Sequence, residues 1–78
     1  MNTKQFLEEF VNLLGAEGVV VKAEDQLSDI AAFDSLARLS LIVFFKDNFS
    51  IKLNQADIAE FETVQDVIDK AGDHIKTD

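Results

Sequence analysis

The sequence contains no cysteine, proline, tryptophan or tyrosine, and its single histidine is His74. The lack of cysteine excludes a thiol nucleophile, a disulfide framework and any metal site built on cysteine. Because His74 lies near the C-terminal end, we expect a solvated surface side chain rather than a catalytic base or a ligand. The lack of proline is consistent with a chain that is rich in helix.

Basic residues are also scarce, with seven Lys and Arg against fifteen Asp and Glu, a formal net charge of −8. Such a charge repels nucleic acid phosphates and anionic lipids, so neither nucleic acid nor membrane is an expected partner. No apolar run approaches the roughly 18 residues that suggest a membrane span, and we expect a soluble, cytoplasmic monomer. At 78 residues, the chain predicts one small domain, residues 1–78, too short for an enzyme with its own deep cleft.

Helical periodicity dominates the sequence, beginning with a predicted helix from Thr3 to Leu14. Asn2 or Thr3 can cap its start, and Gly15 and Gly18 can take the positive φ that ends a helix. Its apolar face comprises Phe6, Leu7, Phe10, Val11, Leu13 and Leu14.

The segment from Gly18 to Asp34 is predicted as a long ordered loop. Its triplet Val19–Val21 favours extended backbone, but one such run without a partner cannot form a sheet. A loop of this length in a compact domain needs anchors, and Leu27, Ile30 and Phe33 are the expected ones.

Three further helices are predicted, and they give an all-α fold, a small four-helix bundle with a short third helix and a long first loop. The second runs from Ser35 to about Asn48 with Asp34 as its cap, and the third from Gln55 to Glu60 with Asn54 as its cap. The fourth begins at a capping-box-like sequence, Thr63–Asp66. Its apolar positions are Val64, Val67, Ile68, Ala71 and Ile75.

The second helix carries more apolar surface than one core requires. At about 100° per residue, its apolar side chains form two nearly opposite stripes. The heavier stripe, which we expect in the core, comprises Leu41, Phe44, Phe45 and Phe49. The other comprises Leu36, Leu39 and Val43. Either the long loop folds over this second stripe and buries it, or the stripe is an exposed face that binds a partner.

Ser35 lies in the first turn of this helix, directly after Asp34. The unpaired N–H groups and the positive end of the helix dipole there favour a phosphate ester on its hydroxyl. The same pair is also a common helix-cap arrangement with no further role. A catalytic triad is not expected, because no glycine elbow surrounds Ser35 and the only histidine is peripheral.

Three motifs together resemble the acyl carrier protein family over nearly the whole chain. They are Asp34-Ser35-Leu36 at a helix start, Phe49-Ser50-Ile51-Lys52-Leu53, and Thr63-Val64-Gln65-Asp66-Val67-Ile68. The resemblance implies that Ser35 receives a 4′-phosphopantetheine arm from coenzyme A, attached by a phosphopantetheinyl transferase with magnesium, and that Asp34 belongs to the recognised motif.

The resemblance also implies a carrier and not an enzyme, with acyl-loading and acyl-processing enzymes as partners. Leu36, Leu39 and Val43 fall where carrier proteins present apolar side chains to these enzymes, with Arg38 and Lys46 beside them. The thiol that bears the acyl group is supplied by the arm. No metal site is expected, because the sequence lacks an Asp-rich calcium loop.

The sequence departs from the family at two single residues and in the charge of the second helix. Ala32 and Ser50 stand where the family usually has glycine, and the replacement at Ser50 is tolerable if the backbone there need not take positive φ. The second helix is acidic in fatty-acid carriers, whereas residues 36–48 here hold Arg38 and Lys46 against Asp47, a net charge of +1. The acidic residues lie instead on the third and fourth helices, where such a run is usually a solvated face.

The charge of the second helix favours a specialised pathway, one that builds a secondary metabolite, a modified lipid or a surface glycan. A primary fatty-acid carrier and an aminoacyl carrier stay open as alternatives. A small helical adaptor, from a different class of protein, would share the apolar stripe but would need no modification of Ser35.

Overall fold

Each of the four helices begins at a side chain that accepts a hydrogen bond from its first turn. The computed structural model describes residues 1–15 and 18–76. Its capping residues are Asn2, Asp34, Asn54 and Thr63. The helices are α1 (Thr3–Leu14), α2 (Ser35–Phe49), α3 (Gln55–Glu60) and α4 (Val64–Ala71). The predicted all-α, four-helix fold is therefore confirmed.

The helix ends differ from the prediction in two places. Helix α2 extends one residue further than expected, to Phe49. The apolar pattern of the fourth helix continues to Ile75, but α4 ends at Ala71, because Gly72 takes a φ of 59° and a short 3₁₀ turn follows over Gly72–His74. Ile75 is buried nevertheless, since the turn returns it to the core.

The core lies between α1, α2 and α4. Its most deeply buried large side chains are Phe6, Phe10, Leu41, Phe45, Val64 and Val67. Phe44 was expected in the core but is only half-buried. Its ring packs edge-on against that of Phe49, with the ring centroids 5.6 Å apart. Helix α2 thus uses its predicted heavy stripe to close the bundle, with Phe44 at the margin.

The long loop is held by backbone hydrogen bonds to the start of α4. The N–H of Val64 donates to the Asp25 carbonyl at 3.0 Å, and the N–H of Leu27 donates to the Glu62 carbonyl at 2.9 Å. A 3₁₀ turn spans Leu27–Asp29. Leu27 and Phe33 are buried and Ile30 is half-buried, so the three predicted anchors are confirmed.

The C-terminal segment packs against the end of α2. The ring of His74 is exposed, as predicted, and stacks on Phe49 with the centroids 5.2 Å apart. Across the part of the chain that the structure describes, no helix combines the length and apolarity needed to cross a membrane.

Candidate functional site

Ser35 is the first residue of α2, and Asp34 sets the point at which that helix begins. Asp34 has an extended backbone, its Oδ1 accepts from the N–H of Ala37 at 3.0 Å, and its carbonyl accepts from the N–H of Arg38 at 3.0 Å. The carboxylate and the carbonyl together satisfy two donors of the first turn. The predicted cap is confirmed, and it fixes Ser35 at the helix N-terminus.

The side chain of Ser35 is exposed. Among the side-chain hydrogen bonds of the described residues, none involves its hydroxyl. The hydroxyl is therefore open to an incoming group from solvent. The first N–H groups of any helix also lack acceptors within the helix and favour an anion beside them.

The second apolar stripe of α2 runs along the surface from this serine. Leu36, Leu39 and Val43 are 72%, 52% and 55% exposed. The predicted exposure of the stripe is confirmed. The alternative, that the long loop buries it, is wrong, because that loop is anchored against α4 instead.

Two exposed cations lie on the same helix as this stripe, Arg38 near its start and Lys46 near its end. The Arg38 guanidinium lies over the ring of Phe33, with Cζ 5.7 Å from the ring centroid. Lys46 is eight residues further along, about 12 Å along the helix axis. The structure therefore brings Asp34, Ser35 and Arg38 to one end of α2 and leaves Lys46 at a distance.

A cleft next to the start of α2 was not predicted from the sequence. It has a volume of about 330 Å³ and lies between the long loop and α3, with Arg38 at its wall. Its other lining residues are Leu27, Ser28, Ile30, Ala31, Phe33, Ile58, Ala59 and Phe61. The sequence signal that could have indicated this cleft was the presence of two large apolar residues at a very short helix, Ile58 within α3 and Phe61 directly after it.

The family model described as "Phosphopantetheine attachment site" matches residues 4–70. The chain belongs to the acyl carrier protein family. It is 30% identical over 64 residues to an acyl carrier protein of Myxococcus xanthus, which covers 81% of each chain. It is also 30% identical over 64 residues to an acyl carrier protein of Micrococcus luteus, covering 81% of this chain and 79% of the relative. No solved structure matches the chain significantly.

This membership identifies the covalently bound prosthetic group as 4′-phosphopantetheine. The family consists of carriers rather than catalysts, and its members work with phosphopantetheinyl transferases and acyl-processing enzymes. For this acyl carrier chain, the residue that bears the group and the residues that contact the partners are proposed below from the geometry around Ser35.

Proposed function

We propose that this chain is an acyl carrier protein that bears its 4′-phosphopantetheine on Oγ of Ser35 and serves a specialised pathway in the cytoplasm. The observation that carries the proposal is the exposed hydroxyl of Ser35 at the N-terminus of α2, inside an Asp-Ser-Leu motif and beside an exposed apolar stripe. When bound, the arm supplies a terminal thiol that holds an acyl group as a thioester.

The residues around Ser35 fit this group. Attachment forms a bond from Oγ to the phosphorus nearer the pantetheine of coenzyme A, while adenosine 3′,5′-bisphosphate leaves and the hydroxyl proton is lost. The product is a phosphodiester with one negative charge. The free N–H groups and positive dipole end of α2 favour that charge, and Asp34 keeps its carboxylate turned to the N–H of Ala37.

The partner surface proposed here is the exposed stripe with the cations beside it. Leu36, Leu39 and Val43 form a small apolar patch of the kind that supports weak, reversible docking. Arg38 and Lys46 add positive charge to the same helix, and charge near a docking surface controls the association rate and the choice of partner more than the affinity. A carrier needs such docking, because it must leave each enzyme after transfer.

The charge of α2 supports a specialised pathway over primary fatty-acid synthesis. Residues 36–48 have a net charge of +1 in a chain whose net charge is −8. Resemblance to fatty-acid carriers implies an acidic second helix and enzymes with basic docking patches. A basic patch placed against Arg38 and Lys46 brings like charges together and slows association.

The attachment is tested by incubating the purified protein with coenzyme A, magnesium and a promiscuous phosphopantetheinyl transferase. Mass spectrometry should show the addition of one phosphopantetheine. Ser35→Ala should abolish the addition, whereas Ser28→Ala, which removes another exposed serine hydroxyl, should leave it intact. Wild-type protein that stays unmodified by several transferases would contradict the proposal and favour an unmodified helical adaptor.

A further inference from the structure

Arg38 has a specific task in the loaded protein. We propose that its guanidinium binds the phosphodiester on Ser35 and holds the attached end of the phosphopantetheine arm beside Phe33, at the edge of the cleft. This inference rests on the proposed attachment at Ser35. It makes Arg38 a positioning residue for the prosthetic group, in addition to its place beside the docking stripe.

The first support is the position of the guanidinium. Residues three apart on a helix share a face, with Cβ atoms about 5–6 Å apart, so Arg38 and Ser35 are surface neighbours. Long helical side chains lean toward the helix N-terminus. Arg38 does so, because its guanidinium lies over the ring of Phe33, two residues before Ser35. The charge is thereby held at the end of α2 where the phosphodiester would form.

The second support is that the donors of Arg38 are available. The part of the chain that the structure describes shows no side-chain hydrogen bond from this guanidinium. The neighbouring carboxylate of Asp34 accepts from the N–H of Ala37. The contact of Arg38 with the Phe33 ring is a cation–π contact, with Cζ 5.7 Å from the centroid, and it involves no hydrogen-bond acceptor, so the five N–H donors can still bind an anion.

The third support is that the platform under the guanidinium is fixed. Phe33 is buried, and its ring packs against that of Phe10 with the centroids 5.8 Å apart. The cation–π contact with this ring favours a position of the guanidinium next to the start of α2 before any anion binds. Two parallel N–H donors suit two phosphate oxygens. Five donors also leave some for a partner enzyme.

The consequence is a direction for the arm. Binding at Arg38 draws the phosphodiester toward the wall shared by Phe33 and the 330 Å³ cleft. Such binding would place the first atoms of the arm on the side of α2 where the cleft lies. Leu39 and Val43 further along the helix stay uncovered, so the free carrier can present its docking stripe while the arm is held at its root.

The experiment uses the loaded full chain, and the sequence offers a clean probe and a matched control. Arg38 is the only arginine in the sequence, so its Nε–H gives a single nuclear magnetic resonance signal. Lys46→Gln removes one exposed positive charge from the same helix, as Arg38→Gln does, but about 12 Å away along the axis. Phosphorus resonances of the loaded wild type and of both loaded variants are compared between roughly 0.01 M and 1 M NaCl.

We expect loading to shift the Arg38 Nε–H signal. The phosphorus signal of the wild type and of Lys46→Gln should move with salt in the same way, and Arg38→Gln should displace this signal and remove most of its salt dependence. Loaded wild type with an unmoved Nε–H signal, or equal phosphorus behaviour in the two variants, would overturn the role of Arg38 alone. Failure of the wild type to load would overturn the attachment at Ser35 as well.

Discussion

Leu39 and Leu41 are two residues apart on α2 and about 200° apart around its axis, and only Leu41 is in the core. Leu39 is 52% exposed, whereas the exposed fraction of Leu41 is 0%. One helix therefore presents the same side chain to the interior and to solvent. Burial of Leu41 stabilises the bundle, whereas the exposed Leu39 adds little to folding, which is consistent with its proposed role in binding a partner.

Leu39→Ala and Leu41→Ala separate these two roles with the same chemical change. Leu41→Ala should lower the free energy of unfolding by about 2–5 kcal/mol, because it opens a cavity in a packed core. Leu39→Ala should change it by less than about 0.5 kcal/mol and should raise KM for phosphopantetheinyl transfer. Urea denaturation and transferase kinetics measure the two effects. Equal losses of stability in both variants would contradict an exposed stripe.

Ser50 takes a left-handed conformation, with φ 56° and ψ 29°, at the C-terminal cap of α2. Its N–H donates to the carbonyls of Lys46 and Phe45. From the sequence, serine in place of the usual glycine was acceptable only if residue 50 did not need a positive φ. The structure shows that Ser50 does take a positive φ. An L-residue there costs about 1–2 kcal/mol, so the departure carries a real penalty.

Ser50→Gly should therefore raise the free energy of unfolding by about 0.5–1 kcal/mol, after the entropy gained by the unfolded chain is subtracted. The thermal midpoint should rise by about 2–8 °C. Ser40→Gly is the matched control within α2, where helical φ makes glycine unfavourable, and it should lower stability by roughly 0.5 kcal/mol. The prediction fails if both variants are destabilised.

The carboxylate of Asp66 makes the stability of the α4 start dependent on pH. Its Oδ2 accepts from the N–H groups of Glu62 at 2.9 Å and Thr63 at 3.1 Å. These bonds favour the charged form and lower the pKa of Asp66 below its ordinary value of 3.8. A group whose pKa is lower in the folded than in the unfolded chain stabilises the fold above the ordinary value and loses that contribution as pH falls through the folded value.

Asp66→Asn should accordingly lower the urea midpoint at pH 7, and its difference from wild type should shrink as pH falls below 3.8. The physical reason is that protonation removes from the wild type the same charge that the substitution removes. Asp73→Asn, beyond the end of α4, provides a control with the same change of charge. A difference between Asp66→Asn and wild type that is constant from pH 7 to about pH 3 would show that the carboxylate charge is not the stabilising feature.

The helix starts were predictable because their signals are local. Asp34 and Thr63 are short polar side chains placed directly before apolar-periodic runs, and they cap their helices as expected. The end of α4 was not predicted, since Ile75 continues the helical spacing past Gly72. At that position the backbone conformation of one glycine outweighs the apolar pattern.

The features that could not be predicted depend on distant segments meeting. The bond from Val64 N–H to the Asp25 carbonyl joins backbone groups that carry no side-chain pattern. The contact of the Arg38 guanidinium with the Phe33 ring crosses a helix start, where neither the helical nor the extended repeat relates the two positions. Ser35 was recognisable by its motif and Arg38 by its place three residues further along the same helix, but the contact of Arg38 with Phe33 and the cleft beside it required the fold.

The positive charge of α2 gives a test of the proposed pathway. The resemblance to fatty-acid carriers implies an acidic second helix and enzymes with basic patches, whereas Arg38 and Lys46 are exposed on α2 here. Like charges across an interface lower the association rate, and the effect weakens as salt screens it. The wild type should therefore be a poor substrate for primary fatty-acid elongation enzymes at low ionic strength.

Ser40→Glu combined with Lys46→Glu should make the loaded protein a better substrate for a fatty-acid ketoacyl synthase. Arg38 is left unchanged in this variant because of its proposed contact with the arm. We expect kcat/KM to rise by about tenfold or more at low salt, through faster association, and the gain to shrink near 1 M NaCl. Asn12→Glu with Lys52→Glu makes the same change of charge at exposed positions outside α2 and should give a much smaller gain.

All proteins carry the same acyl group, and transfer rates are compared at both salt concentrations. Equal rates in the two double variants would mean that total charge, rather than the charge of α2, governs the encounter, and the specialised pathway would lose its main support.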